Sequence, residues 1–158
     1  GVVEESCGNR ASNNNALWYQ NDSKAVAYQN NGQIQVNVSV TKTGLYNFWS
    51  GTLQMLALDM DNNKLWIGYN GSWSGNPAGN SGPAYSGGVL NSGYWGFAVG
   101  TYSTSNYHMN FGQDSSFSGT RTRQNNQDGD SVGDFYYTPP SGFKAMLGSH
   151  TGVVKYTA

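Results

Sequence analysis

The sequence predicts an all-β protein, a sandwich or a barrel, and three observations support this class. Aromatic residues make up 14% of the chain and charged residues only 11%, a balance that favours a packed protein over a disordered one. Short apolar runs alternate with polar residues and are separated by turns rich in Gly, Asn and Ser. Apolar residues nowhere recur at helical spacing over three turns, so almost no helix is expected. At 158 residues the chain suits one domain with a single core.

The clearest element is a hairpin in the middle of the chain. Residues 53–60, LQMLALDM, alternate with period two and predict a strand. DNNK at 61–64 predicts a tight turn, because Asp and Asn side chains hydrogen-bond to nearby backbone and tolerate left-handed conformations. LWIGY at 65–69 is the return strand, and we assign Trp66 to core packing.

A second hairpin is predicted before it. AVAY at 25–28 is one arm, and the run QIQVNVSV at 33–40 is interpreted as a single strand on which Ile34 and Val40 share a face. GLYNFWSG at 44–51 leads from this hairpin into the central one. Further strands are expected at 94–102, 107–112, 135–140 and 142–147.

Two long segments lack a strand pattern. Residues 71–88 and 112–134 are rich in Gly, Ser and Asn, and both are long for loops in a compact domain. Long ordered loops on a rigid scaffold often carry function. The pattern is therefore typical of a recognition module.

Charge and hydropathy exclude two classes of partner. The formal net charge is -1, and the nearest basic pair, Arg121 and Arg123, is too small for a nucleic-acid surface. No apolar run approaches the roughly 18 residues of a membrane-spanning helix. We therefore expect neither nucleic-acid binding nor membrane insertion. Cys7 is the only cysteine, so no internal disulfide can form.

The titratable residues do not suggest an enzyme. His108 lies in a predicted strand beside Met109, where a structural histidine is favoured over a general base. No nucleophile motif surrounds Cys7. Glu4 and Glu5 are adjacent, so on a strand they would point to opposite faces. We predict no catalytic residues and no cofactor.

One acidic loop raises the question of a metal. DGDSVGD places Asp128, Asp130 and Asp134 in a Gly-rich segment, and calcium prefers such carboxylate oxygens. A solvated acidic loop is the alternative, and both interpretations stay open here. The run that starts at Asp59 imitates half of a calcium loop but lacks its glycine and its closing glutamate, so a turn is favoured there.

Four aromatic residues are the candidate ligand-binding side chains. Trp18, Tyr19, Trp73 and Tyr85 lie in or beside segments rich in Gly and Asn, with few apolar neighbours in sequence. An exposed ring beside polar side chains is suited to sugar or peptide recognition. The alternative is that these rings pack against the ends of the β-structure.

Several strings resemble one known family. The hairpin LALDMDNNKLWIGYNG with the following GNPAGNSGPA resembles the central part of SPRY-like domains in phage and marine-virus structural proteins. The closing segment at 110–146, including GDFYYTPPSGF, and the strand pair at 27–40 are similar to the same proteins. The resemblance implies a bent antiparallel β-sandwich of SPRY or concanavalin-like jelly-roll type, with binding loops at one edge and no catalytic machinery.

The resemblance also implies a domain organisation. The SPRY-like sandwich would span 1–147, and 148–158 would be a C-terminal extension or the start of a linker or further domain. The family's usual first strand is absent, so another chain could supply it, or VVKY at 153–156 could cover the edge.

Three functions are consistent with these features. The favoured one is a non-enzymatic virion module, part of a viral appendage or capsid decoration, that serves host attachment or assembly. Its partners would be other virion proteins, copies of itself, or a host surface glycan or protein. The alternatives are an intracellular SPRY-type adaptor that binds peptides and a secreted carbohydrate-binding module.

Overall fold

The computed structural model describes residues 2–4, 25–36, 39–49, 51–91, 93–99 and 107–147. The protein is all-β with antiparallel pairing throughout the described strands, which confirms the predicted class. One short 3-10 turn, Gly88–Asn91, is the helical part of these residues. Within the same ranges, no helix has the length and hydropathy needed to cross a membrane.

Contacts divide the chain into two compact units, which are described separately. Unit 1 is Gly1–Ser105 and unit 2 is Asn106–Ala158. The predicted single sandwich over 1–147 thus includes the whole of unit 1 and most of unit 2, and its extent stays a prediction. The predicted extension at 148–158 lies outside the described residues.

Among the described residues, unit 1 contains nine strands. They are β1 (Val2–Glu4), β2 (Ala25–Tyr28), β3 (Ile34–Val36), β4 (Ser39–Lys42), β5 (Gln54–Asp59), β6 (Lys64–Tyr69), β7 (Ser72–Trp73), β8 (Tyr85–Ser86) and β9 (Trp95–Phe97). One sheet has the order β4-β3-β2-β1-β9, and the other has β5-β6-β7 with β8 also paired to β6.

The central hairpin forms as predicted. β5 and β6 pair in continuous register from Gln54↔Tyr69 to Asp59↔Lys64. Asp59 Oδ1 accepts the backbone N–H of Asn62 at 3.0 Å, and Asn63 adopts a left-handed φ of 54°. The turn therefore uses the two properties of Asp and Asn that predicted it.

The core lies between the two sheets. Val2, Val26 and Ile34 from the first sheet are fully buried in one cluster with Leu65 and Ile67 from β6. Because apolar residues of both sheets join in a single cluster, unit 1 is a β-sandwich in which each sheet covers the apolar face of the other.

One predicted strand is in fact a hairpin. The run 33–40 reverses, because β3 and β4 pair antiparallel with Val36 opposite Ser39. Ile34 is fully buried, whereas Val40 is 48% exposed, so they do not share a core face. In the sequence, period-two alternation continues across residues 37–38, where neither Gly nor Pro occurs, and for this reason the reversal left no signal in the sequence.

Four other strand predictions need correction. In 94–102 the described strand is only Trp95–Phe97. The segments 107–112 and 142–147 are irregular, and 135–140 contributes one isolated bridge, between Phe135 and Asn126. In 107–112 and 142–147, side-chain oxygens accept the amides of Phe111, Gly112 and Ala145, which replaces part of the ladder that a strand would need.

Candidate functional site

The structure places two of the four predicted aromatic residues on one strand edge. Trp73 in β7 is opposite Gly68, and Tyr85 in β8 is opposite Leu65, so both residues flank β6 at different ends of the same edge. Both side chains are half-buried. Trp18 and Tyr19 lie outside the described residues.

Between β7 and β8 the chain forms a compact Ω-loop, residues 74–84. Its two ends lie on β6, where Ser74 N donates to Ile67 O at 2.9 Å and Ala84 N donates to Leu65 O at 2.8 Å. Asn76 and Ser81 pair with each other across the loop. The predicted long loop at 71–88 is therefore a hydrogen-bonded structure in which two short strands are included.

Glycine is required where this loop closes. Gly75 has φ of 113°, and a Cβ there would lie 2.1 Å from the carbonyl oxygen of Gly82. No other residue type has both the left-handed backbone and the space for this approach.

The Ω-loop serves the scaffold. Trp66 is fully buried yet absent from the inter-sheet cluster, and its Nε1–H donates to Ser81 O at 2.9 Å. Lys64 Nζ donates to Asn80 Oδ1 at 2.7 Å. The loop thus satisfies the indole of Trp66, which agrees with the assignment of this residue to packing.

The three candidate calcium ligands are occupied by protein donors. Asp128 is buried; its Oδ1 accepts the backbone N–H groups of Asp130 and Val132, and its Oδ2 accepts that of Ala145 at 2.8 Å. Asp130 forms an exposed ion pair with Lys144. The bonds of Asp128 and Asp130 link the backbone of the acidic loop to itself and to the segment at 144–145. They use the carboxylate oxygens that would otherwise bind a cation.

Asp134 is the most enclosed of these charges. Its Oδ1 accepts the hydroxyl of Ser115 and its Oδ2 accepts Arg123 Nε–H. Burial alone would raise the pKa of this carboxyl, but the bonds from Ser115 and Arg123 hold the pKa below its ordinary value of 3.8. Among the described residues, no three His, Cys, Asp or Glu side chains gather to hold a metal ion. The geometry of unit 2 therefore favours a structural role for all three aspartates.

His108 occupies a different place from the predicted one. It is exposed on an irregular segment rather than held in a strand. It borders a shallow cleft of about 280 Å³ in unit 2. The lining residues are Tyr107, His108, Met109, Gln113, Asp114, Phe117 and Ser118.

The polar groups of this cleft are largely engaged with its own backbone. Asp114 accepts the Ser116 hydroxyl at 2.6 Å and the Ser118 amide at 2.8 Å, and these bonds lower the pKa of its carboxyl. Gln113 donates to Met109 O and accepts from Phe111 N–H. A ligand here would find few uncommitted acceptors, which makes the cleft the weaker of two candidate surfaces.

The stronger candidate includes a residue that the sequence analysis did not select. Trp49 is 67% exposed, in contrast to the fully buried Trp66. Its backbone is fixed in a turn, because Thr52 N–H and Thr52 Oγ–H both donate to Trp49 O, at 3.2 and 2.7 Å. A large apolar ring is thus displayed to solvent by an ordered backbone.

Two tyrosines lie on the chain segments next to this turn. Tyr46 and Tyr69 stack with their ring centroids 5.6 Å apart and an interplanar angle of 22°. Tyr69 ends β6, and Asn70 joins this strand end to the segment after Trp49 through paired bonds with Leu53. We call Tyr46, Trp49 and Tyr69 the aromatic surface.

The segment that carries the aromatic surface is tied to the first sheet. Leu45 N–H donates to Gly32 O, and Phe48 N–H donates to Asn30 O, both at 3.1 Å. Tyr28 in β2 donates its hydroxyl to Tyr46 O. Burial, followed by the nearby phenols of Tyr46 and Tyr69, raises the pKa of Tyr28 to about 12, so this hydroxyl remains a donor.

A sequence signal for Trp49 existed but was ambiguous. GLYNFWSG has the apolar content of a strand, so Trp49 was grouped with the lead into β5. The turn residues Ser50, Gly51 and Thr52 that follow it indicate that the chain bends directly after the ring. Neither signal could show whether the ring faces the core.

Comparisons with family models, with curated proteins and with solved structures find no match to this chain. The candidate function therefore depends on the geometry described above and on the sequence patterns.

Proposed function

We propose that this protein is a non-enzymatic recognition module of a virion, within a viral appendage or capsid decoration, and that it serves host attachment or assembly. The SPRY or jelly-roll type of its sandwich is part of the same proposal. The ligand would bind the aromatic surface, and the β-sandwich would hold that surface in place.

The observation that carries the proposal is the display of Trp49. Trp49 is 67% exposed. Single exposed apolar side chains are common on protein surfaces and do not by themselves indicate a binding site. Here the backbone of Trp49 is held by Thr52, and Leu45 and Phe48 beside it are bonded to the turn between β2 and β3. A backbone that is already ordered loses little conformational entropy when a ligand covers the ring, which favours binding.

The viral setting is supported by the sequence strings that resemble virus structural proteins, especially GDFYYTPPSGF at 133–143 in the closing segment. A virion part would meet either a host surface or a neighbouring subunit. Host attachment and assembly both require a preformed binding surface and no catalysis.

A matched pair of variants tests the recognition role. Tyr94 is 70% exposed, similar to Trp49, but lies beside β9 rather than in the aromatic surface. The labelled 158-residue chain is applied to a panel of microbial cells as wild type, Trp49→Ala and Tyr94→Ala. We expect Trp49→Ala to weaken binding by about tenfold or more and Tyr94→Ala to leave it unchanged. Absent wild-type binding would contradict the attachment role, and equal loss in both variants would contradict the assignment of the aromatic surface.

The viral setting has its own test. Peptide mass spectrometry of purified particles of the virus that encodes the chain should find its peptides in fixed proportion to the capsid protein. Their absence from intact particles would reject the virion role while leaving the recognition role to the binding experiment.

A further inference from the structure

We infer that the aromatic surface binds a neutral saccharide. This inference rests on the proposed recognition function and names the chemistry of its ligand. It does not depend on the virion setting, because the argument uses only the side chains of unit 1.

The first observation is the absence of charge in the chain segments that build this surface. The turn at 29–33, the segment 44–58 and the segment 65–74 contain no Asp, Glu, Lys or Arg. The charged residues of the central hairpin, Asp59, Asp61 and Lys64, all lie at its other end, where Asp59 and Lys64 form the last register pair. A charged peptide or an acidic polymer would find no complementary ion in these three segments.

The second observation is the type of polar group around the rings. Asn31, Asn47 and Asn70 are exposed in these same segments. A carboxamide presents donors and an acceptor together, and a sugar hydroxyl does the same, so the two groups match without any change of charge. The CH face of a sugar ring has the apolar character that the exposed Trp49 indole would cover.

The third observation is that the surface is formed before a ligand arrives. The Tyr46–Tyr69 stack joins the second sheet to segment 45–49, and the hydroxyl of Tyr28 joins that segment to the first sheet. Weak stacking and hydrogen bonds suffice for binding when little ordering entropy opposes them.

The experiment uses affinity electrophoresis of the 158-residue chain in gels that contain laminarin, dextran, mannan or heparin. We expect retardation by at least one neutral polysaccharide and none by heparin. Trp49→Ala should weaken that binding by about tenfold or more, and Tyr94→Ala should not change it. Raising NaCl from low to high concentration should alter the affinity by less than about twofold, because no ion pair is screened.

Wild-type binding to cells separates this inference from the proposed function. Cell binding lost after periodate oxidation of surface glycans supports the saccharide, even where none of the four gel polymers binds. Cell binding lost after protease treatment but kept after periodate overturns the saccharide and leaves recognition intact. Retardation by heparin alone, weakened by salt, also overturns the neutral ligand. No binding to any cell, together with no retardation by a neutral polysaccharide, overturns the attachment role and the saccharide with it.

Discussion

The two units of this chain are held together by different chemistry. Among the described residues, every buried apolar side chain except Ala145 belongs to unit 1. The buried polar residues, Ser115, Asp128 and Asp134, all belong to unit 2. Unit 1 therefore depends on apolar burial between sheets, and unit 2 depends on side-chain oxygens that accept backbone amides.

The difference shows how backbone amides can find hydrogen-bond acceptors without the ladder of a β-sheet. In unit 1 the amides of β5 and β6 pair with each other over six consecutive register positions. In unit 2 the amides of Val132 and Ala145 are bound by the one carboxylate of Asp128. Buried amides need a partner in either case, and a carboxylate can serve two or three of them at once.

The largest expected effect is the loss of the Trp66 ring from unit 1. Trp66→Ala should destabilise unit 1 by about 3–5 kcal/mol, because it opens a cavity and leaves Ser81 O without its indole donor. Hydrogen exchange measured peptide by peptide across a urea series would report the loss in β5 and β6. Trp49→Ala is the control and should change stability by no more than about 0.5 kcal/mol. Similar losses in both variants would contradict the contrast between the two rings.

The next effect concerns Asp128 in unit 2. Asp128→Ala should destabilise unit 2 by roughly 3 kcal/mol, because three backbone amides lose a charged acceptor in a buried place. The amides of Val132 and Ala145 should exchange faster while those of β6 keep their protection. Asp130→Ala is the matched control, since its exposed pair with Lys144 is worth at most about 1 kcal/mol. Unchanged exchange in Asp128→Ala would show that the carboxylate is dispensable.

A third, smaller effect is acid sensitivity confined to unit 2. The pKa values of Asp114 and Asp134 lie below the ordinary 3.8 when folded, so the unfolded chain binds protons first as pH falls. Their stabilisation is complete above about pH 4 and is lost as pH falls through the folded values. Amides of Ser118 and Gln124 should therefore lose protection in acid before those of β5. Asp134→Asn should reduce this dependence, and simultaneous loss in both units would argue against it.

The smallest expected effect is a loss of stability of unit 1 at high pH, through ionisation of Tyr28. The folded pKa of Tyr28 is about 12 against an ordinary 10.0, so its contribution is complete below pH 10 and falls as pH rises toward 12. Tyr28→Phe should remove this dependence and cost about 1 kcal/mol at neutral pH through the lost bond to Tyr46 O. Absorbance titration of the phenols, with stability measured at the same pH values, would check both. An unchanged alkaline slope in Tyr28→Phe would assign the effect to another group.

The hairpin of β5 and β6 was predictable because its information is local. Alternation defines the two strands, and Asp59 and Asn63 define the turn between them. The strands predicted in unit 2 failed for the opposite reason. The amide of Ala145 is accepted by a side chain 17 residues earlier, and no window of sequence contains that pairing.

The candidate site shows the same limit. Trp73 and Tyr85 were selected for their polar neighbours in sequence, and the structure places both in short strands along β6. The three aspartates were selected for their spacing, and their oxygens are bound by amides, a hydroxyl and basic side chains of unit 2. The sequence around Trp49 predicts only a lead into the central hairpin and contains no signal for the exposure of its ring.

Composition and alternation, which act through neighbours one to four positions apart, were enough to establish an all-β chain, its central hairpin and its low charge. The fates of Trp49 and Trp66 were settled by contacts between distant segments. Trp66 is fully buried and its indole binds Ser81 O of the Ω-loop, whereas Trp49 is 67% exposed at a turn in which Thr52 binds its carbonyl. Two identical side chains in similar apolar runs thus acquire opposite roles, since burial depends on which segment folds over a ring and not on the residues beside it.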